Sequence, residues 1–139
     1  MRKVELEELF RCSDIISVQM PLTKENHHMI NDHLLSLMKP TAYLVNCGRG
    51  PLVDEEALIR VLREGKIAGA ALDTVEQEPL SMDSELRKLD NVLLTPHAAW
   101  YSEESSVRLQ RGPAEELVRV LTGKAPKNPV NLAYFPSDT

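Results

Sequence analysis

One feature limits what this chain can fold into more than any other: short apolar runs alternate with segments of helical periodicity. The runs are residues 14–20 (DIISVQM), 42–47 (AYLVNC), 67–73 (IAGAALD) and 92–95 (VLLT). Their length and their aliphatic, β-branched content predict strands. Pro21 stops the first and Gly48-Arg49-Gly50-Pro51 the second. The third is rich in small residues, so something packs close to its backbone. Between them, 5–11 predicts a short helix with Leu6, Leu9 and Phe10 on one face. Asn31 caps a helix over 32–38, which ends at Lys39-Pro40. Residues 54–64 are the clearest helix. Ala57, Leu58, Val61 and Leu62 form its stripe, Asp54 supplies a carboxylate at its start, and Gly65 fits the stop. Residues 23–28 and 75–89 read as loops, the second with one helical turn around 84–88. Ser102 opens a helical stretch to 121. Pro113 lacks an N–H and crowds the Leu109 carbonyl, which predicts a kink or two helices at Gly112-Pro113. From Gly123 on, three prolines and no periodicity predict an irregular tail.

Strands alternating with helices place the chain in the α/β class, with a parallel sheet covered on both faces and right-handed crossovers. No run approaches the ~20 apolar residues of a membrane span. The first residues, MRKVE, carry no apolar core of a signal peptide. A net charge of −5 argues against nucleic acid as the main partner. The two cysteines, Cys12 and Cys47, lie in segments read as buried and show no CxxC spacing. Reduced structural thiols in a cytoplasmic protein follow, with no metal site.

In parallel sheets ligands gather at the carboxyl ends of the strands. The residues just after the four runs include Pro21-Leu22-Thr23, Gly48-Arg49-Gly50, Asp73-Thr74 and Pro96-His97, and Glu78 follows on the loop after the third. Arg49, Glu78 and His97 make a chemically coherent set. A histidine gives or takes a proton near neutrality. A carboxylate on its other ring nitrogen fixes the tautomer. An arginine fork holds a carboxylate by two parallel bonds and polarises a neighbouring carbonyl. Together they suit proton-coupled hydride transfer on a 2-keto or 2-hydroxy acid. No GxSxG elbow supports hydrolysis. Each residue alone also has a plain reading: Arg49 as a solvated turn, Glu78 as a loop charge, His97 as a satisfied structural histidine, Trp100-Tyr101 as packing. His27, His28 and His33 read as loop and helix-surface residues without chemistry.

Four stretches in order, SDIISVQMPLTKENHHMIND, LVNCGRGPLVDEEAL, GKIAGAALDTVEQEPL and NVLLTPHAAWYSEES, resemble the D-isomer-specific 2-hydroxyacid dehydrogenase family. They cover the second half of its nucleotide-binding domain and the helix returning from it. ENHHMIND and HAAWYSEES look like the branch that holds the C-terminal-binding-protein corepressors and their bacterial relatives. The resemblance implies roles position by position. Arg49 matches the substrate-carboxylate arginine, Glu78 the glutamate paired to the histidine, and His97 the general acid/base. Asp73 looks like the nicotinamide-carboxamide contact. Cys47 and Gly48 line the nicotinamide ribose, Met20, Pro21 and Asn26 border the adenosine half, and His97 to Trp100 face the nicotinamide. NAD is the implied cofactor, NADP remaining open, with a small 2-keto or 2-hydroxy acid as substrate and a homo-oligomer as the assembly.

The departures carry expectations of their own. None of the glycines, at 48, 50, 65, 69, 112 and 123, forms GxGxxG. The first βαβ unit and the substrate domain of the family are not represented. The expected architecture is therefore a partial Rossmann-like sheet of about four strands. It spans residues 1–123, with 102–122 as the returning helix and 124–139 as tail, and looks like a C-terminal piece of a dehydrogenase. The strand over 14–20 then pairs directly with 42–47, detaches, or pairs with another chain. Without the phosphate cradle of a glycine-rich turn, NAD binding by these residues alone is expected to be weak. Beside the oxidoreductase reading stand a non-catalytic, corepressor-like scaffold and a nonfunctional remnant.

Overall fold

The structure, a computed structural model, describes residues 2–130. These divide into two compact units, one running to Ala99 and one starting at Trp100. In the first unit α1 (Leu6–Cys12), α2 (Asp32–Ser36) and α3 (Glu55–Arg63) alternate with β1 (Ile15–Val18), β2 (Tyr43–Asn46), β3 (Gly69–Leu72) and β4 (Val92–Leu94). One-turn 3-10 helices occupy Gly50–Leu52 and Glu85–Lys88. The strands form one parallel sheet in the order β1-β2-β3-β4. Of the three outcomes open to the first strand, pairing with the second is the one observed.

Local chemistry sets the helix boundaries. The Asn31 side chain accepts the Leu34 N–H and the Asp54 side chain accepts the Ala57 N–H, each satisfying a donor that the first turn leaves without a partner. Gly65, at φ 65°, takes the left-handed conformation that ends α3. Ala57, Leu58, Val61 and Leu62 are buried along α3. They join Leu34 and Leu35 of α2, Phe10 of α1, and Ile16, Val18, Leu44, Ala70 and Leu72 from one face of the sheet. Burying each such large aliphatic side chain is worth about 1.5–3 kcal/mol, so this cluster is the main stabilising element.

The opposite face differs from the two-sided burial expected. Ile15, Tyr43 and Leu93 are more than half exposed there. The alternation in β1 and β2 is therefore that of a sheet with one solvated face. The small residues of β3 have the predicted consequence: at Gly69 a Cβ would lie 2.6 Å from the Asn91 carbonyl oxygen and 3.1 Å from the Tyr43 ring. In α1 only Phe10 is buried, with Leu6 and Leu9 partly exposed. Cys12 is exposed and Cys47 half-buried, which corrects the reading of both as core thiols. The helix holding Cys12 is short and buries one position only.

In the second unit α4 (Glu103–Leu121) is one uninterrupted helix that runs through Pro113, not two. Ser102 and Ser105 cap its start reciprocally, each side chain accepting the other's backbone N–H. The Trp100 and Tyr101 rings meet edge to face at 5.6 Å. Residues 124–130 hold no helix or strand, and the rest of the expected tail, 131–139, lies outside the described residues. No helix among the described residues is long and apolar enough to cross a membrane.

Candidate active site

The strand register aligns Val18, Asn46, Leu72 and Leu94 in one row across the sheet. Everything that follows that row leaves the sheet on the same side. Asp73 comes one residue past its strand, and Arg49 and His97 each come three residues past theirs.

His97 and Glu78 are in direct contact, with Nδ1 2.8 Å from Oε2. A carboxylate only accepts, so the Nδ1 proton is held between them. Glu78 is itself fixed, its Oε1 accepting the Val75 N–H at 3.2 Å. His97 has φ 53°, the left-handed region that side chains rarely adopt. Strain of this kind clusters at functional sites and persists only where the surroundings enforce it. Here the enforcement is visible, because the His97 N–H donates to the Asp73 carbonyl at 2.9 Å.

Asp73 adds a second clamp. It is 6% exposed. Its Oδ1 accepts from the Thr95 hydroxyl at 2.5 Å and the Ala98 N–H at 2.8 Å, and its Oδ2 from the Ala99 N–H at 3.0 Å. Burial raises its carboxyl, but the bonds from Thr95, Ala99 and Ala98 and the nearby His97 outweigh that and hold it below the ordinary carboxylate range. Three donors flanking His97 thus converge on one buried carboxylate. One acceptor position on Oδ2 is left over, which fits a carboxamide donor from a nicotinamide.

Arg49 lies on the same rim, and its Nη1 donates to the Gly48 carbonyl of its own loop at 2.7 Å. The loop is shaped by Asn46, 1% exposed, whose side chain accepts the Gly48 N–H and donates to the Arg49 carbonyl. Of the three predicted catalytic residues, then, Glu78 and His97 are brought together, and Arg49 is positioned on the rim without touching them through that bond. Gly48 has little room: a Cβ would sit 2.9 Å from the Met20 carbonyl oxygen. Asn26 closes its own loop, accepting the Thr23 N–H and donating to the Pro21 carbonyl. Met20 and Pro21 are exposed and Cys47 is half-buried beside them. Trp100 begins the second unit and is half exposed. Asn46 and Thr95 escaped sequence reasoning. A lone Asn or Thr at a strand end carries no pattern, and only the fold shows what each bonds.

A cavity of about 600 Å³ adjoins the pair, lined by Asp73, Glu78, Leu80, Arg87, Thr95 and His97 among others. That volume suits a small organic ligand. Arg87, in the cavity lining, donates to the Ser81 and Leu80 carbonyls, and the His97–Glu78 pair is the arrangement's proton-transfer group.

Residues 1–99 match the family model described as D-isomer specific 2-hydroxyacid dehydrogenase, NAD binding domain. A glyoxylate reductase of Thermofilum pendens is 50% identical over 131 residues, covering 94% of this chain and 39% of that protein. An acyclic imino acid reductase solved with NADPH and D-Arg superposes with a TM-score of 0.82 at 40% identity, over 90% of this chain and 39% of that one. A D-isomer specific 2-hydroxyacid dehydrogenase from Lactobacillus delbrueckii ssp. bulgaricus in its NAD-complexed form gives 0.83 at 34% identity, over 91% and 43%. The chain thus spans about two fifths of the length of the relatives it matches. With its parallel sheet, its rim and nearly three quarters of its sequence matching one NAD-binding domain, the chain belongs to the D-isomer specific 2-hydroxyacid dehydrogenase family.

Proposed function

We propose that these residues provide the nicotinamide-side half of an active site that interconverts a small 2-keto acid, of glyoxylate size, and its 2-hydroxy acid. The observation that carries this reading is the 2.8 Å His97–Glu78 contact in the lining of a cavity. When bound, the nicotinamide cofactor supplies or accepts the hydride. His97 gives its proton to the C2 carbonyl oxygen in reduction and takes it back from the hydroxyl in oxidation. Glu78 keeps Nδ1 protonated and steadies the charge on the ring. Arg49 swings from its own loop to hold the substrate carboxylate. Asp73 keeps the His97 segment in place and offers its spare acceptor position to the carboxamide. Met20, Pro21 and Asn26 border the adenosine side, with Cys47 and Gly48 along the ribose.

A segment exchange tests this. This chain replaces the matching segment of the Thermofilum pendens glyoxylate reductase, and NADH-dependent glyoxylate reduction is followed. The exchanged protein is expected to turn over, and His97→Ala, Glu78→Gln and Arg49→Gln are each expected to lower the rate by about 10²–10⁴-fold. A His97→Ala protein as active as its parent removes the acid/base role.

A scaffold role of the corepressor kind is a second reading. It is supported by the exposed Ile15, Tyr43 and Leu93 on one sheet face, a surface that a second copy would cover. Light scattering at high protein concentration decides it: a clean monomer excludes self-association through that face.

A further inference from the structure

We infer that His27, His28 and Glu76 form a binding site for a borderline divalent cation of the zinc class. The three residues offer two imidazole nitrogens and one carboxylate oxygen, all within 4.8 Å of one another. Two imidazoles and a carboxylate are a donor set for such a cation, leaving a fourth position for water. A hard cation such as Mg²⁺ prefers oxygen ligands alone.

The backbone makes the cluster. Side chains of successive residues ordinarily point apart. Here His28 is left-handed, at φ 51°, and the two rings lie close together, tilted by 32° with centroids 4.0 Å apart. His28 Nε2 is 2.5 Å from Glu76 Oε1. Both loops are clamped to the same turn, Gly50–Leu52. On one side the His28 N–H donates to the Pro51 carbonyl at 2.8 Å. On the other, Gly50 lies so close to Val75 that a Cβ would fall 1.8 Å from the Val75 carbonyl oxygen. The Glu76 N–H is also held, by Glu55 Oε2 at 3.0 Å. Donors are thus placed by rigid backbone from below, the support a metal site needs.

Tetrahedral bonds of about 2.0–2.1 Å set donors about 3.4 Å apart. The His28–Glu76 contact of 2.5 Å therefore opens by about 1 Å, and His27 closes in. All three side chains are at least partly exposed, so rotamer changes of that size meet little resistance. The bound cation would tie the loop after β1 to the loop after β3, two residues before Glu78.

Zinc chloride alone is the probe, titrated calorimetrically into the 139-residue chain, with thermal denaturation in zinc and in excess EDTA alongside. Expected are one zinc per chain, an EDTA-reversible rise in Tm, and no response to Mg²⁺. His27→Gln and Glu76→Gln are each expected to weaken zinc binding by about tenfold or more, and His33→Gln to leave it unchanged. His27 is exposed, so His27→Gln keeps the fold. His28→Asn, a residue that tolerates left-handed backbone, removes the third ligand without adding strain, and circular dichroism checks each variant. No zinc binding, or zinc binding of equal affinity in His27→Gln and Glu76→Gln, overturns the site.

Discussion

Asp73 holds the segment around His97 from a different strand. Its buried carboxylate gathers donors from Thr95, Ala98 and Ala99, and its carbonyl takes the His97 N–H. Asp73→Asn replaces one acceptor oxygen with an NH₂ that faces an N–H donor. The cost is expected at about 2 kcal/mol at pH 7, the range for a lost hydrogen bond to a charged group, read as a fall in the urea midpoint. The pH dependence has a definite sign. The Asp73 carboxyl is held below its ordinary value, so in acid the unfolded chain takes up that proton before the folded one. The contribution is whole above the unfolded value of about 3.9 and fades as pH falls through the lower folded value. The stability gap between the parent and Asp73→Asn therefore narrows from pH 7 to pH 3. An equal gap at both pH values contradicts the assignment.

At the scale of elements, two glycines behave in opposite ways. Gly50 starts the turn that supports the loop after β3, and no Cβ fits there. Gly50→Ala is expected to lower stability by about 1–3 kcal/mol, as overpacking does. Gly112 lies within α4 with nothing within 4 Å of an added Cβ. Gly112→Ala is expected to raise helix stability by about 0.5–1 kcal/mol, since alanine loses less backbone freedom on folding. Thermal denaturation followed by circular dichroism checks both, and a Gly50→Ala protein as stable as its parent refutes the close approach. Pro113 within α4 shows how far a sequence rule reaches. The missing N–H is real, yet the turns on either side continue the helix through it. The sequence signal marked the local cost and overstated its consequence.

For the whole molecule the governing fact is a parallel sheet with one core-facing side and one exposed side. Residues 1–99 match the family's NAD-binding domain, but no GxGxxG turn occurs in the 139 residues. The pyrophosphate has no glycine-rich cradle among them, and that cradle supplies several backbone N–H donors at once. NADH is therefore expected to bind this chain with a Kd above about 10 µM, weaker than about −7 kcal/mol. A fluorescence titration giving tighter binding shows that the nicotinamide-side rim suffices.

Alternation of apolar runs with helical stripes determined, without any coordinates, the α/β class and the elements on which the site stands. It also put Arg49, Asp73 and His97 just past strand ends, because ligand positions in parallel sheets follow from strand direction alone. What it could not determine was contact. The pairing of Glu78 with His97, the three bonds to Asp73 and the meeting of His27 and His28 with Glu76 join residues 19 to 49 positions apart. Side-chain approach at that separation depends on strand order, register and the conformation of single loop residues. The left-handed backbone of His28 and His97 is the clearest case. Histidine tolerates that region better than most residues but adopts it uncommonly, and the N–H bonds from His28 to Pro51 and from His97 to Asp73 favour it here.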